Sequence, residues 1–217
     1  MKTIAIDGPS GAGKSAIAKA LAERLGYEYI DTGALYRTLA YIAVGEEKEL
    51  SVGALLRLAD QQSIDFKNGS VILGGGALGD EIRTEAISQK TSQLSKDPAV
   101  RDYLLSLQRR LAEKGGVVME GRDIGTVVLP SADVKFFLTA SEDERARRRY
   151  EQRLSFGESV DFEKIKADIH ARDERDKNRA VAPLKQAEDA VLVDSTSMSE
   201  EEVLDTMAGY VERDHVL

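Results

Sequence analysis

The chain has 217 residues, 42% hydrophobic and 31% charged, with no cysteine and a formal net charge of −8. That balance predicts a soluble globular unit with one well-buried core; no apolar run approaches the roughly 20 residues of a membrane span, and the lack of cysteine excludes disulfides and fits a reducing cytoplasm. The acidic balance argues against nucleic acid as a partner, and two histidines, His170 and His215, leave little for an imidazole metal site.

The opening "MKTIAIDG" reads as a strand over residues 2–7 running into a loop, without the apolar core of a secretion signal. A helix follows from Ser15, with Ile17, Ala18, Leu21, Ala22 and Leu25 at helical spacing and Gly26 as its stop. "YEYID" (27–31) is a second strand, residues 33–44 a second helix and 51–61 a third. Over 63–82 the Asn68-Gly69 pair between short alternating runs predicts a β-hairpin outside the main sheet. Asp97-Pro98 opens a long helix that ends at Gly115-Gly116. "VVME" (117–120) and "VKFFLT" (134–139) are apolar strands of the kind buried in a parallel sheet. A helix from Glu142 is interrupted by "SFGES" (155–159), another starts near Asp161, and the chain closes with the strand "AVLVD" (190–194) and a helix over 200–213. Strands alternating with helices predict an α/β fold around a parallel sheet.

"GPSGAGKS" (8–15) fits the full phosphate-loop pattern, with Gly8, Gly13, Lys14 and Ser15 in the required places. Glycines let the backbone N–H groups turn toward phosphate oxygens, and the following helix adds the positive end of its dipole. An apolar strand before the loop and an amphipathic helix after it supply the context the pattern needs. Residues Gly8, Pro9, Ser10, Gly11, Ala12, Gly13, Lys14, Ser15 and Ala16 are therefore expected to bind a nucleoside triphosphate, with Lys14 on the β/γ-phosphates and Ser15 on Mg²⁺. The chain lacks the D-x-x-G and N-K-x-D segments of a GTPase switch and the signature of an ABC motor, which favours a kinase with a small acceptor.

Three more stretches set arginine beside short polar residues at strand ends or on a helix. "DTGALYR" (31–37) follows the second strand and "EGRDIG" (120–125) the strand "VVME", so Asp31, Thr32, Arg37, Arg122 and Asp123 fall near the carboxyl edge where ligands bind in open α/β sheets. The third, "RDERDKNR" (172–179), is seven-eighths charged. Phe162, Ile165, Ile169, Arg172, Asp176 and Arg179 form one continuous helical stripe, apolar at first and then Arg, Asp, Arg. A helix leaving the core to line a cleft has that pattern, and Arg binds phosphate bidentately while Asp accepts a sugar hydroxyl. Asp173, Glu174 and Lys177 read as ordinary solvated charges.

"GPSGAGKS", "DTGALYR", "EGRDIGTVV" and "RDERDKNRAVAPL", in this order and spacing, resemble the bacterial cytidylate kinases of the nucleoside monophosphate kinase family over nearly the whole chain. The resemblance implies a P-loop NTPase-type parallel sheet flanked by helices, with a small β-containing monophosphate-binding insert and a short helical lid. It implies one kinase domain, with a core of about 1–31 and 116–217, an acceptor region of 32–115 and a lid of 145–160 hinged near Phe156–Gly157. It further implies that Arg37, Arg122 and Arg179 clamp the CMP phosphate, that Arg172 and Asp176 lie at the sugar, and that Ser92, Arg101 and Asp123 read the cytosine edge. Thr32 stands where relatives have Ser and keeps the hydroxyl. Glu120 stands where others have Asp, either as a partner of Mg²⁺ through water or as a holder of a nearby arginine.

"ERARRR" (144–149) resembles the start of the lid, and Arg145 and Arg149 are expected at the ATP, the remaining arginines being solvated or paired with Glu144 or Glu151. The implied reaction transfers phosphoryl from ATP to CMP or dCMP, catalysed by Lys14, Arg122 and Arg179 through alignment and charge neutralisation. Nothing in the sequence demands more than a monomer. A P-loop kinase for another small acceptor such as UMP, or an NTP-binding regulatory module without turnover, is the alternative.

Overall fold

The computed structural model describes residues 1–46 and 49–213 of the chain, so His215 lies outside the described residues. Five parallel strands form the central sheet: β1 (Thr3–Asp7), β2 (Glu28–Asp31), and, past an excursion, β6 (Val117–Gly121), β7 (Val134–Thr139) and β8 (Val191–Asp194), in the order β2-β6-β1-β7-β8. The excursion is a three-stranded antiparallel meander of β3 (Ile64–Lys67), β4 (Ser70–Leu73) and β5 (Gly76–Ala77). Asn68 and Gly69 both have positive φ and join Lys67 to its cross-strand partner Ser70, as the two-residue turn requires.

Helices cover both faces of the sheet. On one side α1 (Lys14–Leu25) and α8 (Glu200–Arg213) bury Ile17, Leu21, Met207 and Val211 against Ile4, Ile6, Val118 and Phe136. On the other, α2 (Thr32–Gly45), α3 (Val52–Gln62), α4 (Glu85–Leu94) and α5 (Pro98–Ala112) pack Leu35, Leu39, Leu55, Ile87 and Leu104 over Ala5, Ile30 and Met119. Alternation along each strand sends successive residues to opposite cores, so strands buried on both faces read as unbroken apolar runs. The remaining pair, α6 (Glu142–Ser155) and α7 (Phe162–Asn178), share a small core of Ala146, Ile165 and Ile169 with Tyr150 and Phe162 at its margin.

Helix starts follow the local chemistry. Asp31 caps α2 by accepting from Ala34 N–H, Ser51 caps α3, and Asp97 accepts from Ala99 and Val100 N–H ahead of Pro98. Ser141 and Asp161 cap α6 and α7 in the same way. Helix α4 has the weakest signal, with Thr84 as its cap and only Ile87 and Leu94 buried, two turns apart. Among the described residues no helix is long and apolar enough to cross a membrane.

Candidate active site

The carboxyl ends of β1, β2 and β6 lie in register, with Ile6 opposite Glu120, Asp7 opposite Gly121 and Asp31 opposite Glu120. The phosphate loop leaves this edge from Asp7. Gly8 has φ +152°, and a Cβ there would fall 1.9 Å from the Leu138 carbonyl oxygen, so only glycine lets the loop pass so close to β7. Asp7 is buried and accepts from Ile124 N–H at 2.8 Å and Gly125 N–H at 2.7 Å, which fixes the turn after β6. Burial pushes its carboxyl up to about 6 despite those amides. That turn is a short π-helical segment over Ile124–Val128, in which Val128 N–H reaches back to Asp123 O.

Lys14 is 5% exposed and its Nζ donates to Pro9 O at 2.8 Å. Burial first, and the nearby Arg122 second, bring its pKa down to about 7. Ser15 Oγ donates to Glu120 Oε1 at 2.5 Å, and Tyr29 OH donates to the same oxygen at 3.4 Å. Of the two expectations for Glu120, a place beside Ser15 at the loop end fits these contacts; its hydrogen bonds come from hydroxyls and not from an arginine. Burial, and then the neighbouring Asp31, raise its pKa. Thr32 Oγ1 donates to the Glu120 carbonyl at 2.8 Å, which spends its hydroxyl on joining the start of α2 to β6.

Four guanidinium groups gather across from the loop. Arg37 is held by Asp31 at 2.6 Å and Arg122 by Asp176 at 2.9 Å, while Arg172 and Arg179 come in from α7 and its end. Arg37 Nε, Arg179 Nε and Arg179 Nη2 are buried without a hydrogen-bond partner among the described residues. Buried donors left unpaired cost on the order of 1–3 kcal/mol each, so a cluster of them marks where an anion fits. Arg172 keeps contact with solvent, yet the protein packed around it, followed by the charge of Arg122, pushes its pKa down to about 10.

Arg101 pairs with Asp123 at 2.6 Å, both nearly buried, and its guanidinium carbon lies 6.0 Å from the Tyr36 ring centre. Burial raises the Asp123 carboxyl. The pair opens on a cavity of about 60 Å³ lined also by Tyr36, Gln108 and Val181. Ser92 is exposed and donates to Ser88 O, so it makes no hydrogen bond to Arg101 or Asp123. On α6, Arg145 is buried and donates to Ala140 O, Ser10 O and Asp173, while Arg149 is surface-exposed and crowded by Arg153, Arg37 and Arg83. Arg147 is taken up by Glu144 and Glu151, the pairing expected of the solvated members.

One expectation is overturned. Asp173 is not solvated but 3% exposed, accepting from Ser10 N–H at 3.1 Å and Arg145 Nη1 at 2.5 Å. Its partners lie 28 and 163 residues away, so no local spacing betrays it. Glu174 and Lys177 remain exposed, paired weakly with each other. Asp7 and Gln108 are further site residues absent from the sequence reading. An acidic residue directly before the first loop glycine is the available signal for Asp7, whereas Gln108 is recognisable only as a second polar residue, two turns on from Arg101, among the apolar buried positions of α5.

The family model described as "Cytidylate kinase" matches residues 4–213. A cytidylate kinase of Geobacillus kaustophilus is 51% identical over 208 residues, covering 94% of this chain and 93% of the relative. A cytidylate kinase of Geobacter sulfurreducens is 50% identical over 96% of this chain and 91% of its own. Among solved structures, a shikimate kinase of Bacteroides thetaiotaomicron superposes with a TM-score of 0.52 at 14% identity, covering 100% of this chain and 99% of its own, a likeness of fold alone.

Proposed function

The chain belongs to the cytidylate kinase family, and from that premise we propose that it transfers the γ-phosphoryl group of ATP to the 5′-phosphate of CMP or dCMP. An oxygen of the acceptor phosphate forms the new bond to the γ-phosphorus as the bond to the ADP oxygen breaks, and that oxygen leaves with the electron pair. The attacking oxygen is already ionised, so no proton has to be removed and no general base is needed. The rate comes from aligning two anions that repel and neutralising charge on the oxygens in flight.

In this reading the loop amides from Gly11 to Ser15 and the Lys14 ammonium hold the donor phosphates. Lys14 lies on the Pro9 carbonyl, and phosphate charge would draw its proton affinity back up. Arg37, Arg122 and Arg179 receive the acceptor phosphate, supported by the unpaired buried nitrogens of Arg37 and Arg179. That cluster of orphaned donors, facing a phosphate loop, is the observation that carries the assignment.

Asp176 and Arg172 serve the sugar, Arg101 and Asp123 the base, with Ser92 joining them after movement of α4. Arg149 serves the donor from the lid. Mg²⁺ would sit at Ser15 Oγ with Glu120 acting through water. Among the described residues no cluster of three or more His, Cys, Asp or Glu is placed to hold a metal, so Ser15 and Glu120 are the side chains that would hold the ion. The ion would neutralise the β- and γ-oxygens. The acceptor region of 32–115 and the lid of 145–160 close on a core of 1–31 and 116–217, and one chain supplies every group.

The test is ADP release with ATP and a panel of nucleoside monophosphates. CMP and dCMP should exceed UMP and AMP by at least about tenfold in kcat/KM. A faster rate with another acceptor, or silence with all of them, overturns the assignment.

A further inference from the structure

The donor loop and the helix that carries the acceptor-side residues share a buried tie. Ser10, third in the loop, belongs to no helix or strand, yet both its backbone polar groups are held. Its N–H donates to Asp173 Oδ1 at 3.1 Å and its carbonyl accepts from Arg145 Nη1 at 2.8 Å. Arg145 and Asp173 close the ring through Nη1 and Oδ2 at 2.5 Å, and Arg145 Nε is anchored on Ala140 O at 3.0 Å. A Cβ on Gly11 would lie 3.1 Å from both the Cβ and the carbonyl oxygen of Arg145, so α6 rests directly on the loop. The outside of the loop is jacketed by side chains, which leaves its inner amides to phosphate.

We propose that Asp173 is a positioning residue for the donor, fixing the shape of the phosphate loop from the helix that binds the acceptor; this rests on the kinase reading above. The chain position makes the idea sharp. Asp173 follows Arg172 directly and precedes Asp176 by three residues, the two groups assigned to the acceptor sugar. A residue acting through its own helix would disturb the acceptor. A residue acting as a tie to Ser10 disturbs the donor.

The substitution Asp173→Asn keeps the shape but sets an amide N–H₂ against one of two donors. Its KM for ATP should rise roughly tenfold, with KM for CMP unchanged within about twofold. The dissociation constant of ADP, measured by calorimetry without acceptor, should weaken by the same factor, and Asp173→Glu should not restore it. The control is Asp133→Asn, which loses bonds to Thr3 at the opposite end of the sheet and should leave ADP affinity unchanged. If Asp173→Asn does not fold, the double variant Asp173→Asn with Arg145→Gln, which leaves no unpaired buried cation, should show the same loss of ADP affinity. A rise in KM for CMP alone, unchanged ADP binding, or an equal loss in the control overturns the proposal. Because ADP binding is read without acceptor, a wild-type enzyme inactive on CMP would sink the kinase reading and leave this test standing.

Discussion

The two halves of the site neutralise their charges by different means. On the donor side Lys14 is bonded to no carboxylate among the described residues and rests on a backbone carbonyl, in a loop built from eight consecutive residues. On the acceptor side each of three arginines is matched with a carboxylate: Arg37 with Asp31, the cap of its own helix, Arg122 with Asp176 and Arg101 with Asp123. The donor side is thus a buried positive charge awaiting an anion. The acceptor side is a pre-aimed set of forks whose directions the carboxylates hold. Loss of a donor group should therefore remove charge stabilisation outright, while loss of an acceptor carboxylate should mainly misdirect an arginine.

The sharpest way to break this contrast is Lys14→Ala. Turnover with ATP and CMP should fall on the order of 10³-fold, with the fold retained by circular dichroism; a near-normal rate would remove Lys14 from the phosphates. Next comes the dependence of ligand-free stability on pH. With Lys14 at about 7 in the folded protein and 10.5 as its ordinary value, the unfolded chain binds more protons between those limits, so stability rises with pH across that window. Relative to Lys14→Met, the wild type should gain stability as the pH rises from 7 to 10 in denaturant unfolding. A constant difference would show that Asp7 and Glu120 nearby offset the burial of the ammonium.

The smallest effect is expected on the acceptor side. Asp176→Ala frees Arg122 as well as removing a sugar partner, and should lower kcat/KM for CMP and dCMP alike by about 10-fold. A loss approaching that of Lys14→Ala would erase the distinction between the halves.

Legibility in the sequence followed the same division. The donor side was readable because strand, loop and helix are contiguous and glycine spacing is a direct statement about backbone geometry. The cap at Asp97, the helix start near Asp161 and the Asn68-Gly69 turn were readable for the same reason, each being a local bond, whereas the cap at Asp31 was not read as one. Periodicity put Arg172, Asp176 and Arg179 on one helical stripe, but the helix ends at Asn178, Arg179 follows it in extended backbone, and the buried face runs from Ile165 and Ile169 to Asp173. Their companions could not be known either, since Arg122 lies 54 residues from Asp176. The misreading of Asp173 shows the limit. Two neighbouring carboxylates in one charged run look alike until the tertiary fold buries one of them against a loop 163 residues away. Helix α4 was faint because its burial comes from two residues, Ile87 and Leu94, on a helix packed mainly against α2, not from a stripe of its own.

The alignment of strand ends has a consequence for how the protein is made. Glu120 meets Ser15 and Tyr29 only when β6 pairs with β1 and β2 in the observed register, and a one-residue slip would turn its side chain to the opposite face. A nucleotide that grips the loop and its carboxylate neighbour therefore has affinity for the correctly paired sheet and little for a slipped one. At a hundred times its dissociation constant such a ligand favours the right pairing by about 2.7 kcal/mol. A nucleotide bound at that edge would therefore favour the observed strand pairing over a slipped one whenever the two compete.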